Sequence, residues 1–392
     1  MNNLQDYLSD LADRGMLRAL REIESAQGPR VTIAGQNYLL LCSNNYLGLA
    51  NHPALIEASC RATRDFGVGS GASRLISGSM SLHHRLEERI AAFKGAEAAL
   101  VFNTGYAANN GIIQGLLGPE DTIFSDSFNH ASIIDGCRLS GARTLVYPHN
   151  DMQALEAILL RETPQRRGRW LIVTDGVFSM DGDLAPLDQL ADLKERFDAW
   201  LMVDDAHGGG VLGAGGRGTA EHFNCLSRID LQMGTFGKAF GSFGAYLAAR
   251  QEVVNTLINR SRSFIFSTSL PPGVLAANLA AIDLVDSEEG LRRRMQLEAN
   301  RQLFSGMLTA AGLDLCGSTT QIIPSLIGEP QPTMRAAAQL FSQGIYLSGI
   351  RPPTVPAGTC RLRATLMTDH TPVELRQAAQ LLIATVRQEL DG

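Results

Sequence analysis

Residues 199–207 read AWLMVDDAH: an apolar run that breaks off into two aspartates, Asp204 and Asp205, with His207 close behind. A strand with one solvated face alternates apolar and polar residues, and this run does not. Continuous apolar character is what a strand covered on both faces looks like, the usual state in a parallel sheet. The same form recurs in AALVFN (98–103), DTIFSD (121–126), RTLVYPH (143–149), RWLIVTDGVF (169–178), LQMGTF (231–236) and GAYLAA (244–249). Helical patterns stand between several of them, at 82–93, 106–117, 131–140, 152–161 and 187–197. Strand–helix alternation of this kind predicts an α/β fold built on a mostly parallel, seven-stranded sheet.

Outside this core the character of the chain changes. Leu4, Leu8, Leu11 and Leu20 fall near helical spacing, so the first 30 residues read as a helical arm. After Pro271-Pro272 a long Ala-, Leu- and Arg-rich helical stretch begins, followed by strand candidates QIIPSLIG and CRLRATLM and a closing helix at 372–390. The expected organisation is an arm (1–45), a large domain (46–285) and a smaller α+β domain (286–392).

Bulk properties exclude several classes. With 45% hydrophobic and 19% charged residues, the 392-residue chain has the composition of a globular protein. A net charge of -6 gives no reason to expect nucleic acid or an anionic membrane as a partner. The most apolar segment, LPPGVLAANLAAIDLV, opens on prolines and contains Asp283. It falls short of the roughly 20 apolar residues of a membrane span. The six cysteines are scattered without a Cys-x-x-Cys, which fits reduced thiols in a cytoplasm better than a disulfide framework or a zinc site.

Ligands of parallel α/β sheets collect at the carboxyl ends of the strands, and here those ends carry chemistry. Thr104-Gly105 closes a strand and opens a helix, which suits either an ordinary turn or an anion site made of free N–H groups. His130 follows a second strand, Asp175 and then Ser179 a third, and Asp204 with His207 a fourth. TFGKAFG (235–241) adds Lys238. Metal binding by Asp and His is the alternative, but no further ligands stand at a recognisable spacing, so no metal is expected. One cofactor uses the whole set. Pyridoxal phosphate needs a lysine for its Schiff base, a carboxylate at the pyridinium nitrogen and a cradle for the phosphate.

Longer segments extend the match: CSNNYLGLANHP, GSGASRLISGSMSLHHRLE, NTGYAAN, SFNHASIIDGCRLSGA, TDGVFSMDGDLAPL, VDDAHGGGVLG, FSTSLPP and RPPTVPAGTCRLRATL. On these the chain resembles the α-oxoamine synthases, a branch of the fold-type I pyridoxal-phosphate transferases, over nearly its whole length. GGG at 208–210, where such enzymes often have Gly-Thr-Gly, is a small departure. The resemblance implies that Lys238 forms the Schiff base and that Asp204 pairs with the ring nitrogen. It implies that His130 stacks on the ring and meets substrate, while Ser179 and His207 reach the phenolic oxygen. Gly105, Tyr106 and Thr235 would hold the phosphate. Ser267 and Thr268 would reach the phosphate of a partner subunit in a homodimer with shared sites. Arg363 would hold the amino-acid carboxylate, Asn44 and Thr354 would line the substrate side, and Arg18 or Arg21 would supply an N-terminal substrate arginine. The implied reaction is a decarboxylative condensation of an amino acid with an acyl thioester. The segment IRPPTVPAG favours L-alanine with pimeloyl-CoA, or a pimeloyl carrier protein, over the substrates of sister enzymes such as glycine C-acetyltransferase. A non-catalytic subunit of such a synthase would be expected to lack the lysine.

Overall fold

In the computed structural model, residues 3–391 are described. The chain divides into two compact units. One comprises residues 52–178 and 184–294, the other the residues up to Asn51 together with 179–183 and those from Met295 onward.

Among the described residues, all seven apolar runs are strands of one sheet in the first unit. They are β1 (Ala98–Phe102), β2 (Thr122–Asp126), β3 (Arg143–Tyr147), β4 (Trp170–Asp175), β5 (Trp200–Asp204), β6 (Leu231–Thr235) and β7 (Ala245–Ala249). The order across the sheet is β1-β7-β6-β5-β4-β2-β3. Pairing is parallel from β6 through β3, and β7 alone runs antiparallel, between β1 and β6. Both faces are covered across the middle of the sheet, as the unbroken apolar runs require, whereas the edge strand β3 leaves Arg143, Thr144 and Val146 exposed. Ile112, Ile133, Val173 and Leu257 belong to the core on one side. Phe124, Leu155, Ile172 and Leu190 belong to the core on the other. Because the strands other than β7 share one direction, their carboxyl ends lie along a single edge of the sheet.

Two of the helices that follow these strand ends bear on the site. Helix α1 (Gly105–Leu116) begins directly after β1, with the Thr104 side chain accepting from the Ala107 N–H. Helix α2 (Ala131–Ser140) begins after β2, with the His130 side chain accepting from the Ser132 N–H.

The second unit contains two small sheets. Strand 322–328 pairs antiparallel with 360–365, which also pairs with 348–350. The strand at 36–40 pairs with 30–33 and with 345–346. The expected helical arm is helical only at Leu4–Asp13, and none of that helix is buried. Gly15, at φ +67°, takes a left-handed conformation that ends it. Met1 and Asn2 lie outside the described residues. The long stretch after Pro272 forms two helices, Pro272–Val285 and Glu288–Ala310, broken where the Ser287 hydroxyl donates to the Leu284 carbonyl. Among the described residues, no helix is long and apolar enough to cross a membrane.

Candidate active site

The sequence contains three lysines, and two are already engaged. Lys194 pairs with Asp230 at 3.1 Å. Lys94 is buried, lies 3.7 Å from the Asp205 carboxylate and donates to the Arg217 carbonyl. Burial of its ammonium holds the Lys94 pKa below the usual value, with Asp205 pulling the other way. Lys238 stands apart from these two. It is half-buried just beyond β6, and its Nζ shares a 2.7 Å hydrogen bond with His207 Nε2.

His207 is held by β5 through the turn after Asp204. Asp204 is 5% exposed. One of its oxygens accepts from the Ala206 N–H at 3.0 Å and the other from Asn109 Nδ2 at 2.7 Å. Asn109 also donates to Ser132 Oγ at 2.8 Å, so α1 and α2 meet behind the aspartate. Ser132 in turn bonds His130 Nδ1 at 2.7 Å. A buried carboxylate fixed in this way, beside a lysine and a histidine, suits a cationic ring nitrogen. Desolvation lowers the His130 pKa; the Asp204 charge opposes that shift and the Lys238 charge adds to it. A neutral imidazole can stack on a ring and still accept a hydrogen bond.

The start of α1 supplies a cradle. The Gly105 and Tyr106 N–H groups have no partner among the described residues, while Thr104 occupies that of Ala107. A Cβ on Gly105 would meet Met233 Cε at 3.2 Å, a close approach that the tip of the methionine would have to yield to. Thr235 Oγ1 accepts from the Gly237 N–H at 3.2 Å at the other side of the loop that carries Lys238. Free N–H groups at a helix start bind phosphate well. The residues present therefore fit pyridoxal phosphate: Lys238 for the covalent link, Asp204 for the ring nitrogen, Gly105 and Tyr106 for the phosphate.

Comparison with known proteins gives the family. The chain matches the family model for aminotransferase class I and II over residues 36–382. It is 59% identical over 383 residues to the 8-amino-7-oxononanoate synthase of Geobacter sulfurreducens, covering 98% of this chain and 97% of that one. The chain belongs to the class I and II aminotransferase family. Among solved structures, an SPT with PLP superposes with a TM-score of 0.92 at 31% identity, covering 99% of this chain and 98% of that one. The 8-amino-7-oxononanoate synthase of Francisella tularensis gives 0.78 at 29%, covering 90% and 98%. Like the family, the chain is a fold-type I pyridoxal-phosphate-dependent enzyme, and the family acts on amino-acid and acyl substrates.

The remaining expected residues fall into two groups. Thr268 is in the sheet-bearing unit, where its carbonyl accepts from Asn103 Nδ2 at 2.6 Å, and Ser267 is its half-buried neighbour. Ser179, Asn44, Thr354, Arg18, Arg21 and Arg363 belong to the other unit. There Arg363 Nε donates to the Ser179 carbonyl at 2.5 Å and Nη2 to Asn44 Oδ1 at 3.5 Å. Arg363 is 6% exposed and has no carboxylate partner among the described residues, whereas Arg361, two residues earlier, pairs with Asp181. Arg18 donates to the Pro352 carbonyl at 3.3 Å. The Arg21 guanidinium lies 3.8 Å above the Phe341 ring centroid. Thr354 is exposed.

Sequence reasoning did not single out Asn109, Ser132 or Lys94. Asn109 lies one helical turn after Gly105, but the same helix also carries Asn110 and Gln114, so the local sequence does not mark it.

Proposed function

We propose that this protein is an 8-amino-7-oxononanoate synthase of biotin biosynthesis, condensing L-alanine with a pimeloyl thioester (pimeloyl-CoA or a pimeloyl carrier protein) and releasing CO2 and the free thiol. The observation that carries the reading is the Lys238–His207 hydrogen bond beside the buried, doubly bonded Asp204. A non-catalytic subunit would have no use for this arrangement. The full-length likeness to named synthases supports the substrate assignment.

When bound, pyridoxal phosphate supplies an electron sink for the carbanion formed at the amino-acid Cα. The chain's own residues do the rest. Lys238 Nζ takes the Cα proton, and His207 Nε2 at 2.7 Å is the group able to share it. Asp204 would pair with the ring nitrogen. His130 would pack on the ring and offer a hydrogen bond to the new ketone. Arg363 would receive the alanine carboxylate: a buried guanidinium with no carboxylate partner among the described residues has donors to spare for a bidentate partner. Asn44, Ser179 and Thr354 complete the substrate contacts. Of the two N-terminal arginines we assign Arg18, because Arg21 is already stacked on Phe341. The enzyme acts in the cytoplasm as a homodimer. Val68, Ile76, Phe243 and Phe266 are large apolar side chains left open, which a second copy would cover. Ser267 and Thr268 would then serve the partner's phosphate.

The test is a matrix of L-alanine, glycine and L-serine against pimeloyl-CoA, acetyl-CoA and succinyl-CoA, following thiol release by the purified holoprotein. L-alanine with pimeloyl-CoA is expected to give the highest kcat/KM. Turnover confined to glycine with acetyl-CoA would contradict the assignment.

A further inference from the structure

The last residues of β4 and β5 are both aspartates, and they are direct register partners: Asp175 opposite Asp204. Each is 5% exposed. Adjacent strands lie about 4.8 Å apart, so two buried carboxylates end side by side and on the same face of the sheet. Asp204 has the task described above. Asp175 has none in the reaction, yet its surroundings are built with equal care. Its carboxyl Oδ2 accepts the His130 N–H at 3.0 Å. Its own N–H donates to Asn129 Oδ1 at 2.9 Å. Asn129, also buried, donates to the Val173 carbonyl at 2.8 Å and to Ser125 Oγ at 2.9 Å. The loop from β2 to α2 is thereby tied to the end of β4 at two consecutive residues, 129 and 130.

We propose that Asp175 is a positioning residue: its carboxyl group fixes His130 by accepting that residue's backbone N–H, and it leaves Asp204 the one anion at the paired strand ends.

The hydrogen bonds apportion the charge. Asp204 accepts from two donors, the Asn109 amide and the Ala206 N–H, which suits an anion. Asp175 accepts from one backbone N–H among the described residues. Two buried carboxylates on adjacent strand ends repel when both are charged, which favours one of them neutral. Burial first, then the Asp204 charge, pushes the Asp175 carboxyl well above the usual range, and Asp126 adds to the push. Lys238 and the His130 N–H pull the other way. A neutral acid at 175 has a consequence for the cofactor site: the full negative charge of the pair faces the ring nitrogen, and His130 is held by geometry without a second charge competing for Lys238.

This inference rests on the reading of Lys238 and Asp204 as the cofactor site. Its test uses the holoprotein and two variants, Asp175→Asn and Asp175→Ala, with two readouts: the pH midpoint of the cofactor's visible absorbance band, and kcat and KM for L-alanine. Asparagine keeps an acceptor for the His130 N–H and is uncharged. Its band is expected to titrate within about 0.5 pH unit of the wild type, because removing a neutral group changes no charge. Asp175→Ala is expected to lose about tenfold or more in kcat, and Asp175→Asn to recover most of that loss. A larger midpoint shift in Asp175→Asn would show a charged Asp175 and overturn the inference. Wild-type kcat in Asp175→Ala, or an asparagine variant as slow as the alanine one, would overturn it equally. Should the alanine variant fail to fold, the asparagine midpoint decides alone. Absence of a visible band in the wild-type protein would refute the cofactor site itself, a distinguishable failure.

Discussion

Gly209 stands where the enzymes that the sequence resembles often carry threonine, and the structure gives that difference a physical meaning. Tyr246 is fully buried, and its hydroxyl has no hydrogen-bond partner among the described residues. A Cβ placed on Gly209 would lie 3.7 Å from that hydroxyl and 3.1 Å from the Asp205 carbonyl. Its φ lies outside the left-handed region, so a side chain needs only a shift of a few tenths of an ångström. Gly209→Thr is therefore expected to stabilise the protein by about 1 kcal/mol, by partnering an orphaned hydroxyl and stiffening the unfolded chain. A urea midpoint measured on both proteins checks this; a lower midpoint in the variant would contradict it. At this scale the sequence was legible only in part. Polar residues such as Asp204 and Lys238 stand out because they interrupt apolar runs at strand ends. Asn109 did not, because its partner Asp204 lies 95 residues further along the chain, and no local spacing encodes that meeting.

Between residue and molecule, the crossing of α1 and α2 is what holds Asp204 from behind. The two helices approach closely at Gly136, where a Cβ would stand 3.0 Å from the Asn109 carbonyl and 3.1 Å from Ile113 Cδ1. A third atom, Asn110 Cα, stands at 3.3 Å, so a side chain here crowds the facing helix at three points and a branched one needs the helices to part. Gly136→Leu is expected to cost roughly 1–3 kcal/mol of stability by overpacking, and to weaken cofactor affinity because it displaces Asn109. Denaturant unfolding and a cofactor titration measure the two effects; unchanged affinity in a destabilised variant would separate the helix crossing from Asp204. The elements themselves were largely readable. All seven runs became strands of one sheet. Burial on both faces marks the central ones, while the edge strand β3, largely exposed, was readable from its β-branched and aromatic residues. The antiparallel direction of β7 was not readable, since GAYLAA carries no mark of direction. The short strands 345–346 and 348–350 are defined by their partners in the fold more than by their own residues. The arm failed as a helix beyond Asp13 because its leucines bury nothing there: Leu17 and Leu20 are both exposed.

For the molecule as a whole, acid sensitivity follows from histidines locked in the neutral form. His370 is 2% exposed; its Nδ1 accepts from the Met367 N–H at 3.0 Å and its Nε2 donates to the Leu40 carbonyl at 3.1 Å. Both nitrogens are committed as a neutral ring, and burial pushes the pKa down from 6.5 to about 4. His83, in the other unit, is lowered to about 4 as well, again by burial. The unfolded chain takes up a proton below about pH 6.5 that the folded chain refuses until about pH 4. Stability is therefore fully present above pH 6.5 and is lost as the pH falls. Each such histidine contributes a loss on the order of 2 kcal/mol by pH 5. Unfolding free energies measured at pH 7.5 and pH 5 are expected to differ by less in His370→Gln than in the wild type. An equal difference in both would contradict the assignment of His370.

The central claim is that one of three lysines, Lys238, holds the cofactor at the carboxyl edge of the sheet. The direct measurement is borohydride reduction of the holoprotein, then proteolysis and mass mapping. One phosphopyridoxyl group is expected, on the peptide carrying Lys238 and on no other, and none in Lys238→Ala. Label on Lys94 or Lys194, or an unlabelled Lys238 in protein that shows the visible band, would contradict it.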